Sequence, residues 1–179
     1  MMKDEIDIII LGLLMSGPMH GYQLKQYVQR DYLKHFICIS VGSLYTRLAK
    51  FEAEGLIEGK RELQDKVPDR KVYSITDAGK KRLKELVATP ITITGVIFSD
   101  LNDFMTHALF FDHISEGQRW GVIKPYLDYI TGQLKHADAS REAYAEHGIL
   151  LSELQVLTLL VGRDIMVDIS KYLDGLADM

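Results

Sequence analysis

Residues 40–57, SVGSLYTRLAKFEAEGLI, decide the fold because they predict one helix with two unlike faces. Apolar residues recur at steps of three and four on one face, which predicts a buried stripe. That stripe consists of Val41, Leu44, Leu48 and Phe51. The opposite face carries Gly42, Ser43, Thr46, Ala49, Lys50 and Ala53. This second face is unusually slim, since long charged side chains are the default on a solvated helix.

The segments on either side predict the order helix, helix, helix, hairpin, helix. One apolar helix covers about residues 5–15, and a second begins near Gly21. After the quoted stretch, LIEGKREL and RKVYSI alternate in part and are separated by the turn-forming QDKVPD, which predicts a β-hairpin. Ser40 and Thr76 are the expected N-caps of the third and fourth helices, and Gly55 suits the left-handed residue that ends the third. This order predicts a winged helix-turn-helix.

A winged helix-turn-helix places its third helix in the major groove of DNA, which explains the slim face. The groove is only about 12 Å wide, so small side chains let the helix backbone approach the base pairs. The hydroxyl groups of Ser43 and Thr46 would then reach base edges. The side chains of Tyr45, Arg47 and Lys50 at the flanks would contact phosphates. The positive end of the helix dipole would also favour a phosphate near Ser40. The predicted contacts are Ser40, Ser43, Tyr45, Thr46, Arg47 and Lys50. The alternative is that this face packs against another helix.

The hairpin adds a second group of candidate DNA contacts, because basic wings commonly lie along the backbone or reach the minor groove. These candidates are Lys60, Arg61, Lys66, Arg70, Lys71 and Tyr73. Acidic residues are interleaved with them, at positions 58, 62, 65 and 69. The alternative for each cation is therefore an ordinary solvated loop.

Charge is divided unequally along the 179 residues, whose net charge is −4. Residues 1–90 carry 15 Lys or Arg against 12 Asp or Glu, whereas residues 91–179 carry 6 against 13. A basic front and an acidic back suit a modular DNA-binding protein, because only the docking surface must neutralise phosphates. The acidic back also keeps open a second function, in which the winged helix docks a protein and binds no DNA.

Chemical motifs are scarce, and the sequence predicts neither an enzyme nor a cofactor. The single cysteine, Cys38, excludes an internal disulfide, and the six histidines lack metal-ligand spacing. The apolar stretch IDIIILGLLMSG is flanked by acidic residues and is shorter than the ~20 residues needed to span a bilayer. We therefore expect a buried first helix in a cytoplasmic protein without membrane contact.

Four stretches resemble the PadR-like transcriptional regulators: ILGLL at 10–14, GPMHGYQL at 17–24, GSLYTRLAKFEAEGLI at 42–57 and DRKVYSITDAGKKRL at 69–83. They stand in the right order and at the right spacing. The resemblance implies a winged helix-turn-helix dimer, usually a repressor that leaves a palindromic operator in double-stranded DNA on binding a small aromatic or drug-like effector. It also implies structural roles for His20 and Tyr22. Departures are Thr46, where proline is common, and VPD in the wing.

The back half reads as a separate helical domain. VATPITITG (87–95) has the composition of a boundary, so we predict a DNA-binding domain over 1–90 and a helical dimerisation and effector domain over 91–179. Ser99 and Ser115 are the expected caps of its first two helices, and Pro125 falls in or near the start of the second.

The last predicted helix lies in ILLSELQVLTLLVGRDIMVDISKYLDGLA (149–177) and is apolar on more than one side. A small bundle can cover only one of these sides. We therefore predict a homodimer through Leu154, Leu157, Val161, Ile165, Ile169 and Tyr172. The alternative is a monomeric bundle core. Trp120 and Phe104 are candidates for stacking on a planar effector, although aromatic residues at helical spacing are usually core.

Overall fold

The computed structural model describes residues 2–29, 40–62, 70–146, 164 and 166–176. The chain divides into two compact units, Met1–Ser115 and Glu116–Met179. The boundary expected near residue 90 falls inside the first unit, as the linker between two of its helices. The assignment of DNA binding to residues 1–90 and of dimerisation to residues 91–179 stays a prediction.

The first unit contains a three-stranded antiparallel sheet among helices, which confirms the predicted fold class of a mainly α winged helix-turn-helix. Its elements are α1 (Met2–Met15), β1 (Met19–His20), α2 (Gly21–Gln29), α3 (Val41–Ala53), β2 (Ile57–Glu62), β3 (Arg70–Ile75), α4 (Asp77–Val87) and α5 (Ile97–Ala108), followed by a 3₁₀ turn, Phe111–His113. The strand order is β1-β3-β2. The hairpin β2–β3 was expected, whereas β1, which pairs Met19 with Tyr73, was not.

Helix α1 lies at the centre of the first unit, as its apolar sequence predicts. Ile8, Ile9, Ile10 and Leu11 are fully buried on successive positions, so the helix is enclosed on all sides. Leu44, Leu48 and Phe51 of α3 join this core. Val41 was expected there too but is exposed, because it is the first residue of α3.

Both ends of α3 follow the predicted capping. The Ser43 amide donates to the Ser40 hydroxyl at 3.1 Å, which satisfies one free N–H of the first turn. Gly55 has a φ of +70°, the left-handed conformation that glycine adopts without strain. The Leu56 amide then donates to the Phe51 carbonyl at 2.8 Å, which closes the helix in a Schellman motif.

The start of α4 is fixed to the end of α3. The Gly79 amide donates to the Thr76 hydroxyl at 3.1 Å, which confirms Thr76 as the N-cap. The single hydrogen of the same hydroxyl is shared between the carbonyls of Gly55 at 2.7 Å and Leu56 at 3.0 Å. Thr76 therefore ties two helices together through one side chain.

Helix α5 begins at Ile97 after Val96, so Ser99 lies inside the first turn and the prediction that it caps the helix is wrong. Asp100 organises this end instead. Its buried carboxylate accepts hydrogen bonds from the amides of Thr94 and Gly95, both at 3.0 Å. A carboxylate reaches the preceding loop better than a serine hydroxyl, which has a shorter side chain and a single oxygen.

The second unit contains α6 (Glu116–Glu146), which begins directly after Ser115 and holds Pro125 in its interior. A further helix, α7, covers residues 166–176 and buries Met166, Ile169 and Leu173. Tyr172, another predicted dimerisation residue, is exposed. The other predicted residues, Leu154, Leu157, Val161 and Ile165, lie outside the described part of the chain. None of the described helices is both long and apolar enough to cross a bilayer.

Candidate nucleic-acid interface

The slim face of α3 is open to solvent. Its members Gly42, Ser43, Thr46, Ala49, Lys50 and Ala53 are all exposed. The opposite stripe of Leu44, Leu48 and Phe51 is at most 1% exposed. The slim face therefore points to solvent. These exposures do not support the alternative that it packs against another helix.

The hydroxyl groups on this face are engaged in local hydrogen bonds. Thr46 Oγ1 donates to the Gly42 carbonyl at 2.8 Å, one turn earlier. The Oγ atoms of Ser40 and Ser43 lie 2.9 Å apart. The donors that the sequence offers for base edges are thus directed along the helix in this structure.

Arg47 does not lie at the exposed flank where the sequence placed it. Its Nη1 is 2.9 Å from Asp7 Oδ1 of α1, and only 13% of the Arg47 side chain and 10% of the Asp7 side chain are exposed. Asp7 interrupts the apolar run of α1, and a carboxylate at such a position requires a partner. This ion pair, which joins α3 to the central helix, corrects the predicted position of Arg47.

The remaining predicted residues of α3 are accessible. Lys50 Nζ lies 3.4 Å from Glu54 Oε1, and both side chains are about half exposed, so this surface pair is weak. Tyr45 is 42% exposed, and its ring lies beside Gly21 at the start of α2. A Cβ on Gly21 would come within 3.0 Å of Tyr45 Cε1. Because Gly21 has no Cβ, the Tyr45 ring can lie in this position.

The wing divides its predicted contacts into two groups. Lys60 and Arg61 of β2 are exposed. Lys71 of β3 instead pairs with Glu52 of α3 at 2.6 Å and lies 5.4 Å from the ring centroid of Tyr73. Tyr73 is buried. These three residues brace α3 against the wing. Arg70 begins β3 without a described side chain, and Lys66 lies outside the described residues.

Burial raises the pKa of the Tyr73 hydroxyl above its ordinary value of 10.0; the ammonium of Lys71 opposes this shift, and Glu52 and Tyr45 add to it. The unfolded chain therefore loses this proton at a lower pH than the folded chain does. The contribution of Tyr73 to stability is present below pH 10 and is lost as the pH rises from there through the raised folded-state pKa.

We expect Tyr73→Phe to lose less stability than the native chain between pH 9 and pH 11. Urea titrations at both pH values measure this; equal losses would contradict it.

His20 and Tyr22 occupy structural positions at the start of α2, next to the wing. The His20 amide donates to Gln23 Oε1 at 2.8 Å, and the ring of His20 stacks on Tyr22 with centroids 5.4 Å apart. His20 Nε2 lies 3.8 Å from Glu62 Oε2 at the end of β2. This arrangement agrees with a local packing role for both residues.

Three residues that shape this surface were missed by sequence reasoning: Asp7, Gly21 and Glu52. Asp7 left a signal, since a lone carboxylate inside a buried helix predicts a cationic partner. Gly21 and Glu52 left none, because their neighbours Tyr45 and Lys71 come from distant parts of the chain.

The two predicted effector residues differ in accessibility. Phe104 of α5 is fully buried and meets Phe111 edge to face at 6.0 Å, whereas Trp120 of α6 is 43% exposed. A cleft of about 290 Å³ in the first unit is lined by Arg82, Leu86, Thr89, Pro90, Ile91, Thr92, Asp103 and His107. The described ranges contain no cluster of side chains that could hold a metal ion.

Comparison with known proteins gives one family. The model described as "Transcriptional regulator PadR-like family" matches residues 10–85, which run from α1 to α4. The negative transcriptional regulator PadR of Bacillus subtilis (strain 168) is 27% identical over 133 residues, or 74% of this chain and 71% of that protein.

Two solved structures are also similar. The crystal structure of Bacillus subtilis PadR in complex with operator DNA is 22% identical, with a TM-score of 0.48, and covers 97% of this chain and 96% of that chain. The crystal structure of the same protein with p-coumaric acid is 22% identical, with a TM-score of 0.41, and covers 97% and 93%.

Proposed function

Because the chain belongs to the PadR-like family of transcriptional regulators, we propose that it is a homodimeric repressor which binds a palindromic operator in double-stranded DNA. Regulators of this family act by binding DNA rather than by catalysis, which fits a chain whose sequence offers no catalytic motif. We place the protein in the cytoplasm, where its operator is. A small aromatic effector releases the repressor in this proposal.

The exposure of the slim face of α3 carries the proposal for DNA. A helix with one buried face would normally cover the other with long charged side chains, yet this one exposes glycine, serine, threonine and alanine. Lys50 and Tyr45 stand at its flanks, and the Ser40 cap marks the positive end of its dipole. Lys60 and Arg61 extend this surface along the wing. We assign these five α3 and wing positions, with Ser43 and Thr46, to the DNA contact.

The dimer, the repressor role and the effector rest on different support. The apolar sequence pattern of residues 154–172 supports a twofold pair, which would present two α3 helices to half-sites about one helical turn apart. The Bacillus subtilis relative is a negative regulator, which supports repression. That relative has been crystallised with operator DNA and with p-coumaric acid, so a planar aromatic acid is the first effector to test. Trp120, which is 43% exposed, remains our candidate for stacking on it, whereas Phe104 is fully buried against Phe111.

Lys50→Ala tests the DNA surface. We expect weaker binding to DNA from the promoter of its own gene, because the variant loses a phosphate contact in each protomer. The slope of log affinity against log salt should fall by about 1 for each lost contact. Fluorescence anisotropy between 50 and 200 mM salt measures both quantities.

Lys124→Ala is the matched control, because Lys124 forms the same exposed i,i+4 pair with an acid, Asp128, on a helix of the other unit. It should leave the affinity and the slope unchanged. Equal effects of the two variants would contradict the assigned surface.

If the protein bound no duplex at low salt and instead retained a protein partner, the winged helix would be a protein-docking module. Light scattering of the free protein tests the dimer, and a monomer would contradict it.

A further inference from the structure

The side-chain chemistry left exposed on α3 points to the kind of base it reads. We propose that α3 reads thymine, through contacts between the methyl groups of Thr46 and Ala49 and the thymine 5-methyl groups in the major groove. This inference rests on the proposed DNA-binding function and specifies the chemistry of that same surface.

Thr46 offers its methyl group because its hydroxyl is already engaged. The Oγ1–H bond points to the Gly42 carbonyl at 2.8 Å, as threonine hydroxyls do inside helices. The two branches of a threonine side chain diverge at Cβ, so the methyl is the other branch of this exposed residue. Ala49, one turn further along and equally exposed, carries only a methyl group.

Guanine, by contrast, lacks its usual reader on this helix. The commonest guanine contact is a bidentate arginine or lysine. The arginine of α3, Arg47, is paired with Asp7 and mostly buried. The sequence of α3, VGSLYTRLAKFEA, holds neither asparagine nor glutamine for adenine. Lys50 is the remaining cation of this helix and stands at the flank that we assign to phosphates.

Thymine is the base that an apolar, slender surface can recognise. Its 5-methyl group is the apolar feature of the major groove, and alanine and threonine methyl groups are its usual protein partners. Gly42 and Ala53, at the two ends of the slim face, are small enough to let the α3 backbone approach the base pairs closely. Each methyl contact buries apolar area, and losing one should weaken binding about fourfold.

Two variants of Thr46 separate the methyl group from the hydroxyl. Thr46→Val keeps a methyl at the same branch and removes the hydroxyl, whereas Thr46→Ser keeps the hydroxyl and removes the methyl. The full-length protein first selects its preferred duplexes from a random-sequence pool. Each thymine of the selected half-site is then replaced by deoxyuridine, which lacks only the 5-methyl group, and affinities are measured by fluorescence anisotropy.

We expect deoxyuridine at the contacted thymine to weaken the native protein and Thr46→Val about fourfold. Thr46→Ser should bind the thymine duplex about fourfold more weakly and show no further loss with deoxyuridine at that site. Loss of binding in Thr46→Val but not in Thr46→Ser would overturn the inference in favour of hydroxyl readout. Insensitivity of the native protein to every deoxyuridine would overturn it as well. Enrichment of no duplex at all would instead overturn the proposed function.

Discussion

Gly79→Ala is expected to lower the free energy of unfolding of the first unit by about 2–4 kcal/mol. A Cβ at residue 79 would lie 2.1 Å from the Leu56 carbonyl oxygen and 2.7 Å from Ile75 Cγ1. The oxygen cannot easily move away, because it accepts hydrogen bonds from the Thr76 amide and the Thr76 hydroxyl, both at 3.0 Å. The extra methyl would therefore push apart the joint between α3 and α4.

Gly42→Ala is the control for this variant, because it makes the same chemical change in the same unit without a clash. A Cβ at residue 42 would find Ser40 Oγ at 3.9 Å, an ordinary contact, and alanine is about 1 kcal/mol better than glycine inside a helix. We expect Gly42→Ala to be neutral or stabilising. Urea denaturation followed by circular dichroism gives both midpoints. A midpoint of Gly79→Ala at or above the native value would refute the close approach.

Local sequence determines much of what could be predicted here. Ser40 and Thr76 each cap a helix through the amide three residues later, and Gly55 ends α3 within its last turn, so these sequence signals are local. The hairpin strands were predicted because their partial alternation and the turn residues between them are also visible in a short stretch. Strand β1 escaped prediction because two residues are too few to show alternation, and its pairing with Tyr73 depends on residues more than 50 positions away.

The candidate DNA surface was predicted in outline, since the spacing of α3 separates the slim face from the buried stripe. The roles of individual cations were not. Arg47 and Lys50 look alike in the sequence, yet one pairs with Asp7, 40 positions earlier, and the other faces solvent. Lys71 was likewise placed among the DNA contacts, but it pairs with Glu52 and braces α3 against the wing. Helical periodicity assigns a residue to a face but does not identify a distant partner.

Arg47→Met should be the second strongly destabilising change, lowering the free energy of unfolding by about 3 kcal/mol. The variant removes the guanidinium that faces the Asp7 carboxylate at 2.9 Å, while Asp7 itself stays only 10% exposed. A charge that loses its ion-pair partner in such a site costs far more than a surface charge does. Lys50→Met, which disrupts the exposed pair with Glu54, should change the same quantity by no more than about 0.5 kcal/mol.

The double variant Asp7→Leu with Arg47→Met distinguishes an ion pair that positions α3 from an arginine that contacts DNA. Apolar residues of similar volume can replace a buried pair at little cost, so urea denaturation should show stability close to the native value. DNA affinity should return with it, because the slim face, Lys50 and the wing are unchanged. A stable double variant that still fails to bind would show that Arg47 contacts the DNA itself. Arg47→Met alone should bind poorly, and binding and stability should be restored together when Asp7 is also replaced.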